Sequence, residues 1–541
     1  MVFESSPTPS PSGSKNSKSS IHKEQGYGTT DIEVGVDTGY GEAKKQIGIV
    51  SAIFLIFNRM IGTGIFATPS SIFSYCGSVG LSLFMWVIGS VIAAAGLWVY
   101  LEWGSAIPKN GGEKNYLEFF YRKPRFLAIS MYASYVFFLG WAASNSVVFG
   151  EYILYAAGVE VGRWNQRLIG FACVTFSFLV HATMLKVGLH LQNLLGLFKL
   201  VVIAIIIVSG WVALSGRLDI EKTHAFSNAF AGSETATAYG VVTSLYNIIW
   251  SFVGYSNANY ALSEAKNPNR ILKIAAPIAL VSVAIMYLFC NISYFAVVPK
   301  EQFDSSGRIL AGQYFGIVFG RRGEQALSVF VAISALGNVM SVIFSQGRIV
   351  QELAREGLLP FSRFLASNKP LNSPFAGLFE HWAVSVIIVF APPPGDAYNF
   401  ILNLISYPLS VVNTFVALAL MLIYVQKYRG VGFLDWNPPI KAGLCVSTFF
   451  FLSSLYLIVA PFVPPSDPSQ NQYKDLPYYL HAVVGIAVFF VGALYWLLWA
   501  KILPKLGGYT LDQVIVTDRY GHNRQQMIRR YPDGRELPSW L

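Results

Sequence analysis

The sequence predicts an all-α polytopic membrane protein with twelve transmembrane helices. Of its 541 residues, 54% are hydrophobic and only 13% are charged, and the mean hydropathy is +0.48. A soluble domain carries about 25% charged residues. Apolar runs of the length needed to cross a bilayer, about 20 residues, recur along the chain. This composition excludes a soluble enzyme domain of ordinary type.

The apolar runs divide the chain into three parts. Residues 1–45 include "SSPTPSPSGSKNSKSS" and predict a disordered tail, because almost nothing in them can be buried. Residues 46–503 form the membrane domain, and residues 504–541 form a basic, aromatic tail. That second tail can lie under the protein or at the anionic leaflet, and the sequence leaves both placements open. The predicted spans are roughly 47–74, 79–106, 126–157, 165–185, 190–215, 238–264, 271–298, 325–347, 374–393, 397–426, 440–463 and 479–503.

The distribution of positive charge predicts the orientation of the chain. Twelve spans place both termini on one side, and that side holds 28 of the 39 Lys and Arg residues. Cytoplasmic loops carry such an excess, so we predict that both termini are cytoplasmic. The net charge of +10 is spread over loops and tails and not over one face of a soluble module. We therefore predict no nucleic-acid partner.

Cysteines and histidines give no sign of a metal, a cofactor or a catalytic group. The cysteines lie in or beside apolar segments, as buried residues do, and not in a disulfide or metal-binding pattern. They are Cys76, Cys173, Cys290 and Cys445. The seven histidines form no cluster of the kind that a membrane-embedded enzyme needs. We predict no metal, no cofactor and no enzymatic activity.

Two of the predicted spans are interrupted. In span 1, "FNRMIGTGIF" places Gly62 and Gly64 near the middle of the helix, where each glycine costs about 1 kcal/mol. Span 6 has a second interruption at 251–259, with serines, asparagines and Gly254 at membrane depth. Broken helices at matching positions of two five-span halves indicate a transporter site. The alternative is that the small residues only allow close helix packing.

The chemistry of a break suits a zwitterion. An unwound turn exposes N–H groups at the start of one half-helix, where the helix dipole favours an anion. It also exposes carbonyl groups at the end of the other half-helix, which favour a cation. The hydroxyl of Thr63 adds a donor for a carboxylate.

Several motifs carry a family resemblance. "MIGTGIFATPSSI" resembles the first-span motif of the amino acid–polyamine–organocation (APC) superfamily, especially its L-type amino acid transporter branch. Residues 107–122 and 347–360 resemble the loops that follow spans 2 and 8 in that branch, and residues 261–270 resemble the end of its span 6. The wording of "FNRMIGTGIFATPSSIF", "GYSNANYALSEAKNPNRILK" and "FAGLFEHW" is most similar to fungal high-affinity methionine permeases. The resemblance covers roughly residues 45–505.

The resemblance implies a LeuT-type fold and assigns roles to residues. Spans 1–5 and 6–10 form a 5+5 inverted repeat with broken helices 1 and 6, and two extra helices follow. The implied carboxylate site consists of the N–H groups of Gly62, Thr63 and Gly64. The implied amine site consists of carbonyl groups around the two breaks, at Met60, Ile61, Trp250, Ser251 and Val253, and Gly254 is a further implied substrate-binding residue. Trp250 occupies the position of an aromatic gate, although a lipid-facing indole is the alternative. Val253 replaces a glycine of the L-type branch, so that branch's preference for large neutral substrates is not transferred.

Lys199 is the predicted ion-coupling residue. It lies inside span 5, where an ammonium group is expensive. The resemblance implies that its charge takes the place of a sodium ion, and the residue is either a structural cation or a proton carrier. Arg59 is assigned no partner, and Glu102 and Glu151 are interpreted as structural. Asn145 in span 3 and Asn403 in span 10 are weaker candidates for the side-chain pocket.

The resemblance implies a plasma-membrane secondary transporter that imports a zwitterionic amino acid by alternating access. Methionine or another sulfur amino acid is the leading substrate, and proton symport is the expected coupling. The alternatives are a sodium-independent uniporter or exchanger of other neutral amino acids and a non-transporting amino acid sensor. Lys15, Lys18 and Lys23 in the first tail are candidate ubiquitination sites for a ubiquitin ligase adaptor.

Overall fold

The computed structural model describes residues 49–108, 111–260, 268–369, 371, 373–393, 396–430, 436–465, 471–517 and 523–539. The predicted tail at 1–45, with its three candidate lysines, lies outside the described residues.

The helices of the first half of the chain include three short pieces where span 1 is predicted. They are α1 (Ile49–Met60), α2 (Gly64–Ala67), α3 (Pro69–Cys76), α4 (Val79–Ala106), α5 (Glu113–Phe120), α6 (Leu127–Phe138), α7 (Ala143–Ala156), α8 (Arg163–Thr183) and α9 (Leu185–Leu214).

The helices of the second half vary more in length. They are α10 (Ala238–Phe252), α11 (Pro268–Val297), α12 (Lys300–Ser305), α13 (Leu310–Arg355), α14 (Ser362–Leu365), α15 (Phe375–Phe390), α16 (Ala397–Tyr428), α17 (Gly443–Val459), α18 (Leu480–Leu497) and α19 (Leu503–Gly507).

Within the described residues, eight helical segments are long and apolar enough to cross a membrane. A ninth is obtained if α1 to α3, which bend by 55°, count as one span. The helices at predicted spans 4, 6 and 9 are outside this count: α8 begins with the polar run "RWNQR", and α10 and α15 have only 15 and 16 residues. The prediction of a mostly helical, multi-pass membrane protein is confirmed.

The prediction of an all-α chain is wrong for the C-terminal segment. Strands β1 (Thr510–Thr517), β2 (Asn523–Arg530) and β3 (Glu536–Pro538) form an antiparallel sheet in the order β1-β2-β3. Thr510 lies opposite Arg530 and Thr517 opposite Asn523. The β-branched run "VIVT" favours a strand, and the composition of the tail concealed this pattern.

The sheet packs against the ends of helices. The Met527 N–H donates to the Glu356 carbonyl at 2.9 Å, just beyond the end of α13. The Ser539 hydroxyl donates to the Gly357 carbonyl at 3.0 Å. Arg125, which precedes α6, pairs with Asp512 of β1 at 3.0 Å. Of the two placements that the sequence left open, the structure therefore has the tail against the protein.

Glycine allows some of these helices to touch backbone to backbone. A Cβ atom at Gly377 of α15 would lie 2.3 Å from the Gly347 carbonyl oxygen of α13. A Cβ atom at Gly210 of α9 would lie 2.8 Å from the Ser293 Cα atom of α11. Contacts of this kind are typical of helices packed inside membranes.

Candidate substrate site

The first break follows α1. The Gly62 N–H donates to the Met60 carbonyl at 2.9 Å in a tight turn, and α2 begins at Gly64. Thr63 precedes α2 without capping it through its side chain. The first N–H groups of a helix have no acceptor within that helix, so those of Gly64 and Ile65 can serve an anion. The helix dipole favours a negative charge at the same place.

The second break follows α10. The Val253 N–H donates to the Trp250 carbonyl at 3.1 Å, and Gly254 then takes φ = +121°. That value belongs to the left-handed region, which favours glycine. A Cβ atom at Gly254 would lie 2.4 Å from the Arg59 Cγ atom and 3.1 Å from its carbonyl carbon. The second break therefore packs directly against the end of α1.

The two breaks meet at Gly64 and Ser251. A Cβ atom at Gly64 would lie 2.8 Å from the Ser251 Cα atom. From α11, the Tyr287 hydroxyl reaches the Met60 carbonyl at 2.9 Å and the Ser251 carbonyl at 3.0 Å. Two carbonyl groups that were predicted to bind an amine thus lie around one hydroxyl donor. The arrangement places exposed N–H groups and oriented carbonyl groups within one site.

A chain of polar side chains supports the first break. The Thr63 hydroxyl donates to Asn145 Oδ1 at 2.5 Å, and Asn145 Nδ2 donates to Asn338 Oδ1 at 2.8 Å. Asn338 Nδ2 reaches the Arg59 carbonyl at 3.3 Å. The predicted residues Thr63 and Asn145 are thereby brought together, with Asn338 of α13 as a third member.

Two buried basic residues, Lys199 and Arg59, lie at the end of α1. Lys199 is fully buried, and its Nζ atom donates to the Asn58 carbonyl at 3.0 Å. A cation at this end of a helix is favoured by the helix dipole. Arg59 is also buried, with its guanidinium group 5.8 Å from the ring centroid of Trp141. Both cations thus act on the helix that leads into the first break.

The Glu151–Arg308 ion pair lies beside Tyr398, which is close to the first break. Arg308 contacts Glu151 through two hydrogen bonds, of 2.7 and 2.8 Å, and lies 5.4 Å above the ring centroid of Tyr398. The Tyr398 hydroxyl lies close to the side chains of Thr63 and Trp250, and among the described residues it completes no hydrogen bond. Trp250 is only 8% exposed, so its indole lies inside the bundle. Tyr398 therefore lies between Arg308, Thr63 at the first break and Trp250 of α10.

The remaining predicted positions differ in their surroundings. The Ile61 N–H donates to the Phe57 carbonyl at 2.9 Å, so this residue continues the end of α1. A Cβ atom at Gly62 would lie 3.0 Å from Asn338 Nδ2. Val253 is half-buried between the end of α10 and Gly254.

Asn403 is not brought into the site. Its Nδ2 atom donates to Gln472 Oε1 at 2.7 Å and to the Tyr473 hydroxyl at 2.9 Å, in the segment before α18. Beside it is a polar cavity of about 10 Å³, room for roughly one water molecule. Its lining includes Ser71, Tyr75, Thr243, Asn247, Asn399 and Gln472.

Glu102 is a structural carboxylate. Its Oε1 atom accepts hydrogen bonds from the Tyr424 hydroxyl at 2.8 Å and from Trp436 Nε1 at 2.7 Å. Its Oε2 atom accepts one from the Ala442 N–H at 2.6 Å. Three donors from distant parts of the chain satisfy the buried carboxyl oxygens and join α4 to α16 and to the segment before α17.

Sequence reasoning missed Tyr287, Asn338 and Tyr398. The available signal was a polar residue inside an apolar run, as in "AIMYLFCN" and "SALGNVMS". That signal does not say which helix face a residue occupies, so it could not select these residues over other polar residues in spans.

Comparison with known proteins identifies the family of the chain. Residues 47–489 match the sequence model of the amino acid permease family. The chain is 53% identical to the high-affinity methionine permease of Saccharomyces cerevisiae, over 94% of this chain and 88% of that protein. It is 31% identical to the low-affinity methionine permease of the same yeast, over 88% and 87%. It is 29% identical to the b(0,+)-type amino acid transporter 1 of Mus musculus, over 85% and 91%. The chain belongs to the amino acid permease family.

Proposed function

We propose that this chain imports methionine, or a related sulfur amino acid, across the plasma membrane by proton symport and alternating access. The observation that carries the proposal is the meeting of the two breaks at Gly64 and Ser251, beside the Met60 carbonyl. The two yeast relatives that are named methionine permeases support the choice of substrate.

The geometry suggests how each end of the substrate is bound. The carboxylate takes the N–H groups of Thr63 and Gly64, together with that of Gly62 once this N–H leaves the Met60 carbonyl. The ammonium group takes carbonyl groups of the two breaks, among them those of Met60 and Ser251. The indole of Trp250 and the ring of Tyr398 lie over the substrate and separate it from the Glu151–Arg308 pair.

The proposed architecture is that of twelve spans. Residues 46–503 form the transporter domain, with spans 1–5 and 6–10 as inverted repeats and spans 11 and 12 added. The tails at 1–45 and 504–541 both lie in the cytoplasm. A ubiquitin ligase adaptor acts on Lys15, Lys18 and Lys23 of the first tail. Lys199 stabilises the end of α1 in place of a sodium ion.

Uptake of radiolabelled methionine tests the proposal. Cells that lack their own permeases and express this chain are assayed at pH 5 and pH 7.5, with an excess of each unlabelled amino acid as competitor. We expect saturable uptake that is faster at pH 5 and is blocked by methionine. A chain present at the cell surface without methionine uptake would refute the substrate. Uptake that is equal at the two pH values would refute proton coupling.

A further inference from the structure

Glu380 carries a buried carboxyl group on α15. It lies in α15 and is 7% exposed, and both of its oxygen atoms are buried without a hydrogen-bond partner among the described residues. It is five residues beyond Phe375, where α15 begins, which corresponds to about 7.5 Å along the helix axis. A carboxyl group in this position is a functional candidate by default.

On the neighbouring helices, the charged side chains contact groups other than the Glu380 carboxyl in the part of the chain that the structure describes. Arg167 on α8 donates to the Phe390 carbonyl at the far end of α15 at 2.9 Å. The guanidinium group of Arg348 on α13 lies 5.7 Å from the ring centroid of Phe344, and the His181 Nδ1 atom on α8 is 2.9 Å from the Ser177 carbonyl oxygen. Glu151 on α7 pairs with Arg308.

The other elements packed against α15 are α14, which carries Arg363, and α6 and α16, whose buried titratable groups are tyrosines. His381, the next residue of α15, is buried on an adjacent face and lies close enough to Arg59 for an electrostatic interaction.

Glu102 differs from Glu380, because three hydrogen-bond donors surround its carboxyl group. An ionised carboxylate without donors is expensive to bury, whereas the neutral acid is much less so. The surroundings of Glu380 therefore suit a carboxyl group that holds a proton. Lys199 is a weaker candidate for this role, because its ammonium group is already bonded to the Asn58 carbonyl.

We propose that Glu380 is a membrane-embedded proton-binding site and that its carboxyl group carries the proton that accompanies the substrate. The inference rests on the proposed proton symport. In loading, a water-borne proton forms an O–H bond with the carboxylate. In release, that O–H bond breaks, the proton passes to water on the other side, and the carboxylate is regenerated.

The packing of α15 supplies a route from this group to the substrate site. Gly377, one turn before Glu380, touches the Gly347 carbonyl of α13. The same α13 carries Asn338, which contacts Asn145 and the Arg59 carbonyl at the first break. A shift of α13 that opens the site also changes the surroundings of the Glu380 carboxyl group.

The test compares E380Q, which keeps the shape and removes the titratable group, with E160Q as a matched control at an exposed carboxylate. Methionine uptake at pH 5 and pH 7.5, cytoplasmic acidification and methionine exchange are measured for each at equal surface abundance. We expect methionine uptake by E380Q at pH 5 to be about tenfold slower than that of the wild type, which corresponds to about 1.4 kcal/mol, and we expect the acidification to be lost. Exchange should fall much less, and E160Q should behave as the wild type does.

The outcomes separate the two claims. Full acid stimulation and acidification in E380Q would overturn the role of Glu380 and leave the proposed function standing. A wild-type chain without methionine uptake would instead overturn the proposed function. If E380Q fails to reach the surface, E380D decides, because moving the carboxyl group must shift the pH at which uptake is half-maximal. An unchanged midpoint in E380D would overturn the proposal.

Discussion

The two breaks at the centre of the molecule are built differently. The break after α1 is held by side chains from other helices, through the chain from Thr63 to Asn145 and Asn338. The break after α10 is held by the backbone of Gly254, at φ = +121° and in contact with Arg59. The first can therefore adjust through its side-chain bonds, whereas the second is fixed by sterics.

This difference suggests a division of labour between the two breaks. The first break offers N–H groups and a hydroxyl that can exchange partners with a substrate. The second supplies a rigid wall, with the Ser251 carbonyl held beside the Tyr287 hydroxyl. Substitutions at each break should therefore fail in different ways.

The largest effect is expected where the two breaks touch. In G64A, the added methyl group would lie 2.3 Å from Ser251 Oγ and 2.8 Å from Ser251 Cα, so the breaks must separate. We expect uptake to fall by at least ~100-fold, because a displacement on the order of 1 Å in a binding site can cost that much. The control is G62A, whose methyl group first meets the amide of Asn338 and should cost less. Equal uptake by G64A and the wild type would contradict the contact.

The rigidity of the second break is tested by G254A. An L-residue at this φ is strained by about 1–3 kcal/mol, and the methyl group also meets Arg59. We expect a lower thermal unfolding midpoint and roughly tenfold slower uptake at equal surface abundance. G216A is the control, since Gly216 has φ = +71° with no atom within 4 Å of the added carbon. If the two variants lose the same stability, the contact with Arg59 adds nothing.

The link between the breaks is tested by Y287F. This change removes the hydroxyl from the Met60 and Ser251 carbonyl groups. One hydrogen bond contributes about 0.5–1.5 kcal/mol, so we expect KM for methionine to rise by roughly two- to tenfold with a smaller change in maximal rate. Y294F, also on α11, is the matched control, because its hydroxyl has no partner among the described residues. A rise in KM in both variants would argue against a specific role for Tyr287.

The smallest effects on KM are expected for two asparagines, Asn145 and Asn403. N145A cuts the polar chain that supports the first break, and we expect KM to rise by about two- to fivefold. N403A cuts contacts with Gln472 and Tyr473 only, so KM should stay within about twofold, as distant sites act independently. Uptake at a series of methionine concentrations gives KM, and competition with different amino acids gives the side-chain preference of each variant. A changed profile in N403A would return that residue to the substrate pocket.

The location of the breaks was predictable because glycine in a helix interior leaves a local trace. Gly62, Gly64 and Gly254 all lie at the breaks in the helices. Thr63, between the first two glycines, donates a hydrogen bond to Asn145. Partners from other helices were not predictable in this way. Tyr287 and Asn338 look like single polar residues in apolar spans, and only the packing of α11 and α13 brings them to the site.

The structure differs from the sequence predictions at two further places, at Asn403 and in the C-terminal segment, and both differences have physical causes. Asn403 is taken up by the segment before α18, whose contacts cannot be read from the periodicity of span 10. The C-terminal strands escaped prediction although β1 and β2 are consecutive in the chain and pair from Thr517 with Asn523 to Thr510 with Arg530. A reading by composition registers only the charge and the aromatic residues of that segment.

Because the C-terminal sheet is bonded next to the end of α13, a fluorescent label on this sheet can report the position of that helix. A backbone bond joins Met527 to Glu356, so a dye attached at the partly exposed Leu537 reports on the end of α13. A second dye at the exposed Glu160 would complete a pair for energy transfer across the molecule. The distance between the dyes would then follow α13 during turnover, and each step of the cycle could be timed in a single molecule.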